Sequence, residues 1–104
     1  MTLKFAKPHC DVDAEYRAWI SRMPCIVCGA PAPSHSHHLA GKGARGADPI
    51  LGGSDYTCVP LCAAHHTGLG AGIHTMPLRE FEARHNINLW KEAFRLFRLW
   101  LKEL

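Results

Sequence analysis

The chain lacks any run of about 18 apolar residues, which excludes a membrane-spanning helix. Its opening stretch, MTLKFAKPHC, has no extended apolar core, so no secretory signal is expected and the expected compartment is the cytoplasm. No internal repeat and no low-complexity tract divides the 104 residues. At roughly 100–150 residues per domain they make one unit. Neither sign of charge dominates: 12 Lys+Arg against 9 Asp+Glu leave +3, a mildly basic balance that accommodates nucleic acid without requiring it. The apolar fraction of 47% is too high for a disordered chain. Gly41-Lys-Gly-Ala-Arg-Gly46 lacks the spacing of a nucleotide-binding P-loop, so that reading is rejected.

What the chain has in excess is histidine. Eight occur, seven of them between His35 and His85, beside 5 Cys. In a reducing compartment cysteines hold metal or stay free thiols more often than they form disulfides.

Four segments follow from the patterning, all expected within a small α+β domain. Residues 1–12 carry Lys4, Lys7 and Pro8 without periodicity and read as a loose arm, with Cys10 a free thiol. From Asp13 to Pro24, Tyr16, Trp19, Ile20 and Met23 recur at i, i+3, i+4 and i+7, one helical face that Asp11 or Asp13 caps and Pro24 ends. Residues 25–76 hold nearly all the turn signals. Within them His35 to Leu39 and Tyr56 to Leu61 suit short strands, Pro60 keeping the second near an edge or an end. Residues 77–104 read as two helices, Pro77 to Arg84 and, capped by Asn88, one running to about Glu103. The second is expected to bury Trp90, Ala93, Phe94, Phe97, Trp100 and Leu101 on one wide face. Its Lys91, Arg95, Arg98 and Lys102 form a basic stripe, read as a solvated face in preference to a DNA-contacting edge.

Cys25-x2-Cys28-Gly29 is half of a tetrahedral zinc site, because two intervening residues let one turn present both sulfurs to one ion. Cys62-Ala-Ala-His65 supplies the other half, giving a Cys3His zinc ribbon. A competing set would use Cys58 in place of His65, with only three residues, Pro60 among them, between its thiol and Cys62. A thioredoxin-like redox role would need a βαβ context that the pattern does not offer. Such a zinc is structural and would supply much of the folding free energy of so small a chain.

His37, His38, His66 and His74 remain after that site is satisfied, more than a structural module needs. The order Cys25-x2-Cys28, Ser36-His37-His38-Leu39, a glycine-rich loop, then Asp55-Tyr-Thr-Cys-Val-Pro-Leu-Cys62-x2-His65-His66 resembles the HNH, ββα-metal or His-Me finger endonucleases. It is most similar to their prophage-type group, which includes RecA-dependent recombination-enhancement nucleases. The resemblance covers about residues 13–100. It implies a zinc-knuckle-stabilised ββα-metal core flanked by an N-terminal helix and C-terminal helices, and hydrolysis of DNA phosphodiester bonds.

By that resemblance His38 is the general base, and His37 and His66 are ligands of a divalent catalytic ion. The family's further ligand position falls on Gly70, so His74 is assigned to it, moved by the insert Gly68-Leu-Gly-Ala-Gly72. The family's middle Asn falls on Thr57, a departure; Asp55 matches the Asp of the prophage-type version and orients His38 or binds metal. Adjacent strand residues point to opposite faces, so His37 and His38 share one site only at a strand end or bulge, and His35 lies on the face of His37 and is an alternative to it.

Three imidazoles favour Mn, Co, Ni or Zn over Mg. Lys42 and Arg45 are the expected phosphate contacts. DNA, mainly through its backbone, and a recombinase filament of the RecA type are the expected partners, with the chain a monomer or homodimer. The rival reading is a non-catalytic zinc-ribbon module that binds nucleic acid or protein.

Overall fold

A computed structural model of the chain describes residues 12–39 and 54–104. Lys42 and Arg45, the expected phosphate contacts, and Cys10, the expected free thiol, lie outside those residues. The architecture is a small mixed α+β arrangement: α1 (Ala14–Ser21), β1 (His35–His38), β2 (Cys58–Leu61), α2 (Ala63–His66), α3 (Leu78–His85) and α4 (Leu89–Glu103). Two 3-10 turns, Asp55–Thr57 and Ile73–Thr75, precede β2 and α3. None of the described helices is long and apolar enough to cross a membrane.

Each boundary has a local cause. The Asp13 side chain accepts from the Tyr16 N–H and starts α1. The helix stops at Ser21, short of Pro24, whose ring disfavours helical backbone in the residue before it. Asn88 caps α4 in the same manner through the Lys91 N–H. Asn86, at φ 51° in the left-handed region, ends α3. The expected strand from Tyr56 begins later than its composition suggested, because Ser54 accepts from the Tyr56 N–H and winds Asp55–Thr57 into the 3-10 turn.

β1 and β2 pair antiparallel, with His35 opposite Leu61, Ser36 opposite Pro60, His37 opposite Val59 and His38 opposite Cys58. Opposed residues share a face, so the hairpin has two chemically different sides. On one, Val59 and Leu61 pack with Cys25, Ile73, Phe81, Leu89 and Ala93. On the other, Cys58 packs with Tyr16, Trp19, Ile20 and Leu96, with Phe97 and Trp100 at the margin. Helix α4 thus serves both clusters, its first turns one and its later turns the other. A two-stranded hairpin is marginal alone in water, and burial on both faces is what holds this one.

The expected wide buried face of α4 is corrected. Leu89, Ala93 and Leu96 are buried, whereas Phe94 is 61% exposed and Leu101 51%. Trp90, Phe97 and Trp100 are half-buried. The reason is width: four-residue strands cover one narrow stripe of a helix, and α4 carries apolar residues well beyond it.

Candidate functional site

The knuckle is built by backbone hydrogen bonds. Cys25 N–H donates to Ala30 O and Gly29 N–H to Cys25 O, each at 2.9 Å, and Gly29 takes φ 75°, which a residue with a Cβ rarely adopts. The Ile26 N–H donates to Pro60 O at 2.9 Å and ties the knuckle to β2. On α2, Cys62 and His65 stand three residues apart and meet on one side, with Cys62 Sγ 3.3 Å from His65 Nδ1.

Cys25, Cys28, Cys62 and His65 form one group whose ligand atoms all lie within 4.8 Å of one another. Cys28 Sγ and Cys62 Sγ are 3.8 Å apart, and Cys25 Sγ is 3.8 Å from His65 Nδ1. With Zn–S near 2.3 Å and Zn–N near 2.0–2.1 Å, tetrahedral edges come to about 3.8 Å for S–S and about 3.6 Å for S–N. These three separations are close to such edges, and the group is compatible with a zinc site. Burial pushes the Cys25 thiol up, but N–H groups of Cys28, Cys62 and Val27 and the Cys28 thiol outweigh it and bring it down to about 6. A thiolate is the species that binds metal. Cys58, the competing ligand, sits on the opposite face of the hairpin with His38 and Asp55, and burial pushes its thiol up to about 12.

His66 follows His65 by 100° around α2, which turns it away from the knuckle. It joins His37 and His74 in a second group within 4.8 Å. The glycine insert makes this closure: Gly72 N–H bonds back to Gly68 O at 2.7 Å, and Gly70 turns at φ 79°. A Cβ on Gly72 would meet Gly68 N at 2.7 Å and His66 O at 2.8 Å, so the turn closes only on hydrogen. His74 is thereby returned to His66, Nε2 to Nε2 at 3.1 Å. That separation suits two nitrogens about 2.1 Å from one ion, and the three imidazoles together could hold a metal. Burial first, then the charges of His66, His74 and His38, lower His37 to about 4, so its one free lone pair stays available at neutral pH. Burial, then His74 and His35, lower His66 as well. His35 lies on this face as alternation requires, with Nδ1 2.8 Å from His66 Nδ1, as a neighbour of the group and not a member of it.

His38 is the last residue of β1 and faces the other way. Its Nε2 is 2.7 Å from Asp55 Oδ1. Asp55 is buried, and its Oδ2 accepts from Asp13 N–H at 2.6 Å and Arg17 Nε at 3.0 Å. Burial pushes the Asp55 carboxyl up, but the hydrogen bonds from His38 and Asp13 and the Arg17 charge hold it below the usual carboxylate range. An ionised carboxylate only accepts, so His38 Nε2 carries the proton, and in the neutral ring the lone pair is on Nδ1.

Two contributors escaped the sequence reading. Arg17 stands one turn past the capping Asp13, an i,i+4 relation that places both on the side of Asp55. His85 packs its ring 5.0 Å from that of His65, and its buried Nε2 has no hydrogen-bond partner among the described residues. Burial, then His65 and Arg84, lower it. Its place at the end of α3, four residues past Phe81, was the available signal.

A family model described as a protein of unknown function, DUF968, matches residues 1–97. No curated protein and no solved structure matches the chain.

Proposed function

The chain belongs to the DUF968 family, and on the geometry of its histidines we propose that it is a metal-dependent DNA endonuclease of the HNH type, stabilised by a structural zinc. The observation that carries the reading is the three-imidazole group of His37, His66 and His74, the donor set of an open metal site, beside a four-ligand Cys3His knuckle. His37 enters a three-imidazole group, while His38 is tied through Nε2 to a buried carboxylate. A ligand and a base are the two roles that phosphodiester hydrolysis asks of histidine, and here one dipeptide provides both. The order β1, β2, α2 with its two ligand sets supports a ββα-metal core.

In this reading Cys25, Cys28, Cys62 and His65 hold zinc, and His37, His66 and His74 hold a divalent ion. When bound, that ion supplies Lewis-acid relief of the charge that develops on the phosphate oxygens. Asp55 keeps the Nε2 proton on His38, as a buried Asp orients the His of a catalytic triad. At the strand end, the only place where the two imidazoles can serve one site, Nδ1 of His38 would take a proton from the attacking water as the new P–O bond forms and the old one breaks. Asp13 N–H and Arg17 occupy the second oxygen of Asp55, so that carboxylate is held in place to orient His38. Three neutral imidazoles favour Mn, Co, Ni or Zn over Mg. Prophage recombination, with DNA presented on a RecA-type filament, belongs to the same proposal.

The test is nicking of supercoiled plasmid by zinc-loaded protein with Mn, Co, Ni or Mg added, against His66→Ala. Cleavage that needs the added ion and is lost in the variant supports the reading. No cleavage with any ion, from protein of full zinc content, overturns it in favour of a non-catalytic zinc ribbon.

A further inference from the structure

Helix α4 carries two rows that the fold leaves largely uncovered. Trp90, Phe94, Phe97 and Leu101 recur at spacings of four, three and four, and each is followed directly by a cation, Lys91, Arg95, Arg98 and Lys102. With 100° between neighbours the rows run side by side, each about 16 Å long. Neither is the row that packs on the sheet, which is Leu89, Ala93 and Leu96. Phe97 is braced at its base, its ring centroid 4.9 Å from that of Tyr56 and 6.0 Å from that of Tyr16. Phe94 projects, with the Trp90 ring 6.1 Å away. All four cations are exposed, and among the described residues only Arg95 has a carboxylate partner, Glu92 at 2.9 Å. Arg95, Arg98, Leu99 and Lys102 border a cleft of about 160 Å³.

Charge and shape together select the occupant. A second copy of this helix would set cation row against cation row. A lipid surface takes a helix whose whole apolar side is free, yet Phe97 here is anchored inward and Trp90 half-buried. Duplex DNA would use the cations and leave the aromatic row idle, because its bases are stacked inside. A single strand offers a flat base and a phosphate in every unit, matching the apolar-then-cation pair that α4 repeats. We propose that the outer face of α4 docks single-stranded nucleic acid, bases on Phe94 and Trp90 and phosphates on Lys91, Arg95, Arg98 and Lys102. The proposal stands on α4 alone and does not depend on cleavage.

The experiment uses the zinc-loaded full chain with no second divalent ion added, a short fluorescein-labelled oligothymidylate as the probe, and anisotropy with tryptophan fluorescence as readouts. Binding should quench a signal that is missing in Trp90→Phe. Its logarithm should fall against log salt with a slope near −2.8, about −0.7 for each of four phosphates. Arg98→Gln should reduce the steepness by about 0.7. Phe94→Ala should weaken binding roughly 5- to 150-fold with the salt slope kept, and being exposed should leave the melting temperature unchanged. Equal affinity for the matching duplex, preference for phosphatidylserine vesicles, or wild-type affinity in Phe94→Ala would each overturn the proposal. His66→Ala should bind the strand as wild type does. Loss of cleavage without loss of binding thus separates the nuclease reading from this surface.

Discussion

The two ligand groups differ in the kind and number of their ligands although adjacent residues, His65 and His66, feed them. The knuckle group has three sulfurs and one nitrogen, a full tetrahedral set, with buried Cys25 lodged in the core beside Val59, Leu61 and Phe81. The second group has three nitrogens and no sulfur, and His74 is exposed to solvent. Four protein ligands leave a zinc no place for a substrate, whereas three leave a position open. The difference teaches that ligand number and kind, more than burial, would separate a site that holds a fold from one that does chemistry, for each group has one exposed ligand, Cys28 and His74.

The largest effect expected is on the closed group. Cys28→Ser should unfold the chain or render it insoluble, since structural zinc contributes about 10–16 kcal/mol in small domains against total stabilities of about 5–15 kcal/mol. Circular dichroism and zinc content of the purified variant are the measurements. A stable, zinc-free fold would remove the distinction between the groups. Next comes His66→Ala, expected to abolish cleavage while one zinc per chain and the melting temperature persist. Release of the tight zinc by this variant would mean that His65 and His66 have exchanged roles.

His38→Ala should lower the cleavage rate by about 10²–10⁴-fold with metal content and DNA affinity intact. Asp55→Asn should fall in the same range, because an amide can donate to Nε2 and leave the proton on Nδ1. His37→Ala differs in kind: its activity should recover partly at high Mn. Rescue of His38→Ala by added ion, with none for His37→Ala, would move the base one residue upstream.

A smaller change probes the turn that closes the open group. Gly72→Ala should weaken binding of the second ion by about 10- to 100-fold, the range seen when a group that orients a ligand is lost, with zinc unaffected. Calorimetric titration with Mn or Co measures it. The smallest effect is a slope. His37 sits near 4 when folded and near 6.5 when unfolded, so between those values the unfolded chain binds the extra proton. Stability without the second ion should therefore fall as the pH drops from 6.5 toward 4, and urea melts of His37→Gln should show a shallower dependence.

The sites were unevenly readable in the sequence. Both halves of the knuckle stood out because two-residue spacing is a requirement of local turn geometry. The 100° step between His65 and His66 likewise separates the two groups before any packing is considered. Arg17 and His85 were not readable, because their partners Asp55 and His65 lie 38 and 20 residues away in the chain. The buried face of α4 was misjudged because its apolar residues exceed what one narrow hairpin covers.

By itself the sequence determined the elements that depend on near neighbours: an Asp cap for α1, the Asn88 cap, the stop before Pro24, the knuckle turn and the two strands that β-alternation makes two-faced. Only the tertiary structure decided that His74 returns to His66 across a glycine turn. It also decided that Asp55 meets His38 and Arg17 together, and that Cys58 lies on the wrong face for zinc. The physical reason is range. Caps and short metal spacings are settled by bonds over three or four residues, whereas a ligand set or a charge relay is settled by how sheet, turn and helix pack against one another.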